Sequence, residues 1–211
     1  MKTKRLVCFN SREGISRLES TPYKGAFYQL APHFQPQRDP YYCAVATAVI
    51  GLNALRSPKS SKPFSQDNLL SAATDRIRPR QTIRGPHPGL TLTQLALLLR
   101  HFGLKVKVQI ENLTPERGAA RLRKLGKSFR SSGNPLCLAN FSYGPLFGQG
   151  GGHFSPLAAY HSSSDSILVL DVANHKTLWY WAPTELLTKA MSVVDESASS
   201  PRGLLLVSPG D

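Results

Sequence analysis

Three side chains spread along this sequence could together make a thiol nucleophile: Cys43, His153 and Asp171. A free thiol has a pKa of about 8.5 and is mostly protonated at neutral pH. It becomes reactive where a helix N-terminus offers positive potential and unpaired N–H groups, and where a histidine holds the thiolate as an ion pair. Cys43 heads an apolar run ending at Leu55, which meets the first condition. His153 follows a turn in which Gly148, Gly150, Gly151 and Gly152 let the backbone pass close to a bound group. Asp171 closes the apolar run Ile167-Leu168-Val169-Leu170, and a carboxylate at the mouth of a buried strand needs a partner. Beside His153 it would fix the ring tautomer. Taken alone, Cys43 reads as a small core residue and His153 as a loop histidine. Their combination favours chemistry.

The remaining candidates lack such a setting. Cys137 falls in an apolar strand and reads as core, while Cys8 reads as exposed. His33, His87, His101, His161 and His175 show no metal-ligand spacing, so no protein metal site is expected. His101 sits near the end of a helix, where a cation is favoured in any case.

The elements that must position these residues can be read from periodicity. Residues 23–34 are rich in proline, glycine and aromatics and read as irregular packed chain. The run from Cys43 to Leu55 is apolar nearly all round, as in a buried central helix, and Pro40 suits its entry. A loop is expected over 56–65, a short helix over 66–73 and an exposed loop over 76–88. Leu92, Leu95, Ala96, Leu99 and Phe102 fall at helical spacing, with Thr91 as cap and Gly103 as stop. Residues 104–110 alternate as a half-buried strand does. A helix is expected over 114–125, with Arg117, Arg121 and Lys124 on one face. Strands are expected over 135–141, 153–160 and 166–172, the last two forming a hairpin about the turn 161–165. A helix over 183–191 and a closing strand over 203–207 complete the chain. Nucleophile, histidine and carboxylate thus come in that order, on an N-terminal helix and a later antiparallel sheet, an arrangement similar to that of papain.

Composition bounds the rest. With 211 residues, 41% of them hydrophobic, the chain is long enough for one domain with a real core. Two lobes are expected, helical over about 1–130 and sheet-rich over about 131–211. No apolar run approaches the roughly 20 residues of a membrane span. The basic start has an apolar stretch only from Leu6 to Phe9, too short for a signal peptide, so a cytoplasmic protein is expected, or a periplasmic one if a leader has been removed. Three scattered cysteines argue against a disulfide framework. The net charge of +13 fits either a polyanion partner or a solvated basic surface. Aromatics are not interleaved with the charges, which disfavours nucleic acid.

At this point the sequence resembles a known family. Phe34-Gln35-Pro36-Gln37, then Tyr42-Cys43-Ala44-Val45-Ala46 and Leu52-Asn53-Ala54-Leu55, is similar to the catalytic start of phytochelatin synthases. Gly151-Gly152-His153-Phe154-Ser155-Pro156 resembles their histidine motif, and Leu168-Val169-Leu170-Asp171-Val172-Ala173 their aspartate motif. Trp181-Ala182-Pro183, the stretch from Leu186 to Met191, and Arg202-Gly203 continue the likeness. It implies a papain-like α+β fold and a γ-glutamylcysteine dipeptidyl transfer, with the Cys43 thiolate attacking the Cys–Gly amide of glutathione. Gln37 would then be the oxyanion glutamine. Arg202 and Asp195 would hold the γ-glutamyl carboxylate and amine, with Gly152 beside them. Glutathione and related thiol peptides are the implied partners, no cofactor is required, and cadmium or zinc would enter as a metal–thiolate co-substrate. Family members pair, which allows a homodimer.

Ala44 replaces the usual glycine and Thr47 the usual serine, so a methyl group could narrow the site. Asn174-His175-Lys176-Thr177 replaces an Arg-Tyr/Phe-Lys-Tyr stretch, which weakens any second-substrate contact made there. The chain ends at Asp211 without the cysteine-rich region of plant members. Short bacterial members resemble peptidases that remove glycine from glutathione or its S-conjugates. Hydrolysis is therefore expected to outweigh polymer synthesis. Two rival readings stand beside it: a general papain-like cysteine peptidase, and a basic nucleic-acid-binding module with a vestigial site.

Overall fold

The structure, a computed structural model, describes residues 5–56, 62–72, 89–109, 115–131 and 133–210. The expected exposed loop 76–88, with most of the basic cluster around it, lies outside the described residues.

A seven-stranded, wholly antiparallel sheet organises the chain. Its strands are β1 (Val7–Cys8), β2 (Leu104–Gln109), β3 (Leu136–Ser142), β4 (Gly152–His161), β5 (Ser166–Val169), β6 (Tyr180–Pro183) and β9 (Gly203–Pro209), in the order β1-β6-β5-β4-β3-β9-β2. The edge strands are β1, near the start of the chain, and β2, at its middle. A separate two-stranded ribbon pairs β7 (Val194–Asp195) with β8 (Ser200–Pro201). The strand expected to close the chain, β9, is its last element and lies inside the sheet, between β3 and β2. Its apolar run Leu204-Leu205-Leu206-Val207 suits that position.

All of β3 and nearly all of β4 are buried, so the middle of the sheet is covered on both faces. One cover is the helix α3 (Cys43–Leu55), whose residues 44–53 are all buried and which packs on β4, β3 and β9. Gly51 lets it settle onto Leu138. Each fully buried Val, Ile or Leu here is worth about 1.5–3 kcal/mol of burial, which fixes α3 firmly. Two short tethers hold its ends. Asn53 exchanges hydrogen bonds with the backbone of Phe64, both at 2.9 Å. Gln66, in α4 (Gln66–Ala72), donates to Pro36 O at 2.9 Å and accepts from Arg38 N at 3.1 Å, pinning the chain that leads into Cys43.

The helix α5 (Leu92–His101) opens with a complete capping box between Thr91 and Gln94 and packs on β2 and β9. The helices α6 (Pro115–Lys127) and α8 (Thr184–Met191) pack on each other and on β4 and β3 respectively. Gly118 permits the first contact, since a side chain there would strike Thr188. Residues 23–34, expected to be irregular, hold the helix α2 (Gly25–Leu30) and a 3-10 turn, Ala31–His33. The short helix has no side-chain cap, so nothing local announces it. The helix α1 (Arg12–Ser20) is anchored by Trp181, whose buried Nε1 donates to Gly14 O at 2.9 Å. No helix among the described residues is long and apolar enough to cross a membrane.

Candidate active site

Cys43 is the first residue of α3. Its cap, Tyr42, makes no side-chain capping bond, so the N–H groups of the first turn remain available to the thiol. The sheet supplies the histidine. His153 lies on β4, paired across with Phe141 on β3. An irregularity between Leu157 and Ala159 shifts the pairing of β4 with β5. Beyond it the chain runs back beside β4, with Leu170 N donating to Pro156 O at 3.0 Å and Val172 N to the Ser155 hydroxyl at 3.3 Å. That register lays Asp171 alongside His153.

Their contact is direct: His153 Nε2 and Asp171 Oδ1 are 2.9 Å apart, both groups buried. The Ser155 hydroxyl lies 3.1 Å from the same nitrogen and donates to Phe154 O at 2.7 Å. With Nε2 so engaged, Nδ1 is the nitrogen left for Cys43. Ala173 N donates to Asp171 Oδ1 at 2.8 Å, and the Tyr143 hydroxyl donates to both carboxylate oxygens at 2.9 Å.

The electrostatics follow. Burial alone would push the Cys43 thiol up. The hydrogen bond and charge of His153, with the Phe154 and Ala44 backbone, outweigh it and hold the thiol below its ordinary value. Burial likewise works against a charged His153, yet its bonds to Asp171 and Cys43 raise it to about 9. Each group therefore favours the charged form of the other, which is what acyl transfer by a thiol requires. Cys137, by contrast, is fully buried without such partners, and burial pushes its thiol far up. Cys8 is exposed.

A second constellation stands one residue away. The ribbon β7–β8 and the bond from Arg202 N to Val193 O (3.0 Å) fold Arg202 back beside Asp195. Arg202 Nη1 donates to Asp195 Oδ2 at 3.2 Å and to Asn140 Oδ1 at 3.0 Å. Gly152, adjacent to His153, makes room for that guanidinium. Arg202, Asp195 and Gly152 thus meet in one place, next to the thiol site.

Gln37 is also drawn in. Its backbone N–H donates to Val172 O at 2.8 Å, which seats it beside the Asp171 segment. Its side-chain amide donates to Asp39 O at 2.9 Å and Pro40 O at 3.1 Å, bracing the turn into Cys43, while Oε1 is buried without a partner. Ala44 is fully buried within the hydrophobic core.

Sequence reasoning missed Asn140, Tyr143 and Ser155. A buried asparagine inside an apolar strand was a usable signal for Asn140, since it must find partners. Tyr143 and Ser155 gain their roles only from the fold.

The phytochelatin synthase family profile matches residues 2–204. Glutathione gamma-glutamylcysteinyltransferase 1 of Arabidopsis thaliana is 30% identical over 96% of this chain and 41% of its own length. Glutathione gamma-glutamylcysteinyltransferase 3 of Lotus japonicus is 31% identical over 86% of this chain and 37% of its own. The chain therefore spans about two fifths of the length of these curated relatives. Among solved structures, the peptidase domain of Streptococcus ComA, a bifunctional ABC transporter involved in quorum sensing, superposes with a TM-score of 0.50 at 11% identity. That match covers 83% of this chain and 96% of the domain, so the fold is the papain-like α+β one. With its profile matched over nearly its whole length and its Cys43, His153 and Asp171 motifs assembled in one place, the chain belongs to the phytochelatin synthase family.

Proposed function

We propose that this chain is a γ-glutamylcysteine dipeptidyl hydrolase and transferase that cleaves the Cys–Gly amide of glutathione or its S-conjugates. The observation that carries the reading is the adjacency of two charge pairs: a thiolate–imidazolium pair at Cys43 and His153, and the Arg202–Asp195 pair across Gly152. The γ-glutamyl end of glutathione is a zwitterion, and a guanidinium beside a carboxylate matches its α-carboxylate and α-amine.

The Cys43 thiolate attacks the Cys–Gly carbonyl carbon, forming a C–S bond and a tetrahedral oxyanion. The Cys43 N–H and a Gln37 amide N–H, released from one of its loop carbonyls, stabilise that oxygen. His153 gives its proton to the departing glycine nitrogen as the C–N bond breaks, leaving a γ-Glu-Cys thioester on Cys43. Neutral His153 then takes a proton from water, whose oxygen attacks the thioester and returns Cys43 as a thiolate. The amine of a second glutathione could replace that water. Water is the favoured acceptor because Asn174-His175-Lys176-Thr177 departs from the stretch usual in the family. Cadmium or zinc would enter with the substrate, bound to its soft thiolate. The reducing cytoplasm, rich in glutathione, is the compartment that suits this chemistry.

Mass spectrometry of protein mixed with glutathione tests the reading. A gain of one γ-Glu-Cys unit on Cys43, with free glycine, is expected, and neither in Cys43→Ala. Glutathione left intact with and without Cd²⁺ or Zn²⁺ sinks it. If other peptides are cleaved while glutathione is ignored, the general peptidase takes its place.

A further inference from the structure

Asp171 serves more than one donor. Tyr143 precedes the short helix α7 (Gly144–Phe147) and is nearly buried, at 7% exposure. Its backbone N–H donates to Gly151 O at 3.0 Å, closing the glycine turn onto it. A Cβ on Gly150, which sits at φ 103°, would crowd the Tyr143 Cβ at 3.0 Å. Phe141 and Phe147 meet the ring edge-on at 5.9 and 5.0 Å. So held, the ring stacks on the His153 imidazole, with centroids 4.5 Å apart and planes 24° from parallel. The hydroxyl reaches past the imidazole to both oxygens of Asp171.

We propose that Tyr143 is a positioning residue of the thiol site: its ring backs the imidazole, and its hydroxyl shares the Asp171 carboxylate with His153. The inference rests on Cys43, His153 and Asp171 acting as the thiol catalyst described above. Burial and the nearby Asp171 charge hold the phenol proton far above its ordinary range, so Tyr143 stays a neutral donor and is not itself an acid or base. The groups that bear on the imidazole are Asp171 and Ser155 at Nε2, Cys43 at the thiol side and Tyr143 at the face. Tyr180 on β6 is a second buried phenol, raised well above its ordinary value by burial and by the Asp171 charge, and its hydroxyl makes no hydrogen bond of normal geometry.

Sharing has a direction. A carboxylate that already accepts a phenol hydrogen bond is a weaker acceptor for imidazolium. Tyr143 therefore keeps His153⁺ a better acid toward the leaving amine than Asp171 alone would allow. Removing the hydroxyl strengthens the Asp171–His153 bond and raises the histidine further. It touches neither Arg202 nor Asp195, so substrate recognition is left alone.

The test compares wild type with Tyr143→Phe, which keeps the stack, and Tyr143→Leu, which loses it. The His153 ring is titrated by NMR, its signal assigned by its loss in His153→Asn. Glycine release from glutathione is measured alongside, with circular dichroism to confirm folding. For Tyr143→Phe the titration midpoint rises by about half a unit or more, and kcat falls roughly two- to threefold with KM unchanged. For Tyr143→Leu, kcat falls further. A midpoint in Tyr143→Phe that is unchanged or lowered overturns the proposal, as does a loss expressed in KM. The titration needs no substrate. A wild type that releases no glycine while the midpoint shifts as stated therefore defeats the glutathione reading and supports the role of Tyr143.

Discussion

Gly152 and Arg202 compete for one volume: a Cβ on Gly152 would lie inside the Arg202 guanidinium. The glycine immediately before His153 is therefore what lets an arginine from the far end of the chain reach Asn140 and Asp195 beside the thiol site. Gly152→Ala should expel the guanidinium and break both bonds. Losing one or two charge-assisted hydrogen bonds predicts a rise in KM for glutathione of roughly ten- to a hundredfold. Arg202→Lys should do nearly as much, since an ammonium cannot span Asn140 and a carboxylate as a planar fork does. Alkylation of Cys43 by iodoacetamide should be unchanged in both. If KM holds steady while alkylation slows, Gly152 serves the thiol and not recognition.

The thiolate–imidazolium pair sets a pH window. Cys43 is held low, so the thiolate forms early, and the rate rises as pH passes its lowered value. His153 is raised, so the proton needed by the leaving amine is present through the neutral range and lost as pH climbs through about 9. kcat/KM for glycine release should accordingly fall on the alkaline side near there. Asp171→Asn removes the strongest support for imidazolium, so the alkaline limb should move toward neutrality and the rate drop by more than about tenfold. A plateau extending well above the raised histidine value would show that the neutral ring suffices.

What could be read from residues alone was whatever is local or strongly periodic. The buried helix from Cys43 to Leu55 was legible because nearly every residue in it is apolar, and the capped helix from Leu92 because Thr91 and Gln94 form a complete box. The hairpin expected from strands over 153–160 and 166–172 was legible from its apolar runs about a polar turn, though its second strand ends at Val169. Less visible was the strand Tyr180–Pro183, which is only four residues long and has a proline at its end. The expectation that the Ala44 methyl narrows the site did not allow for its burial in the core, since helix phase is set by tertiary packing. Of the groups now clustered around His153 and Arg202, Asn140 lies on a strand, Tyr143 just beyond it, and Asp195 on a two-residue ribbon. Their meeting depends on strand register, which spacing along the chain does not encode.

Asp165 locks the hairpin behind the site. It sits at φ 48° in the turn between β4 and β5 and accepts three contacts from the Arg123 guanidinium at 2.8 to 3.0 Å and one from Tyr160 at 3.2 Å. Burial works against its charge, but Arg123 prevails and holds the carboxyl below its ordinary value. The stability it gives is therefore present above the unfolded carboxylate value of about 4 and is lost as pH falls through the lower folded value. Asp165→Asn keeps a residue that tolerates positive φ and removes the charge. It should cost about 1–2 kcal/mol at pH 7, since the pair is partly exposed, and close to nothing in strong acid. Equal losses at both extremes, by urea unfolding, would locate the effect in the backbone instead.

Ala44 gives a prediction against first impressions. It follows the nucleophile, where the family usually has glycine, and its methyl could be supposed to crowd the substrate. The side chain is instead fully buried in the core beneath α3. Ala44→Gly should therefore leave glycine release within about twofold, because no substrate-facing volume is gained. It should lower stability by up to about 1 kcal/mol, through lost helix propensity and a lost buried methyl. For a chain of this size that is a drop in melting temperature of about 2–4 °C. A several-fold rise in kcat/KM would place the methyl in the substrate's path, and with it the N-terminal turn of α3 would have to sit closer to the acyl group than the burial of Ala44 allows.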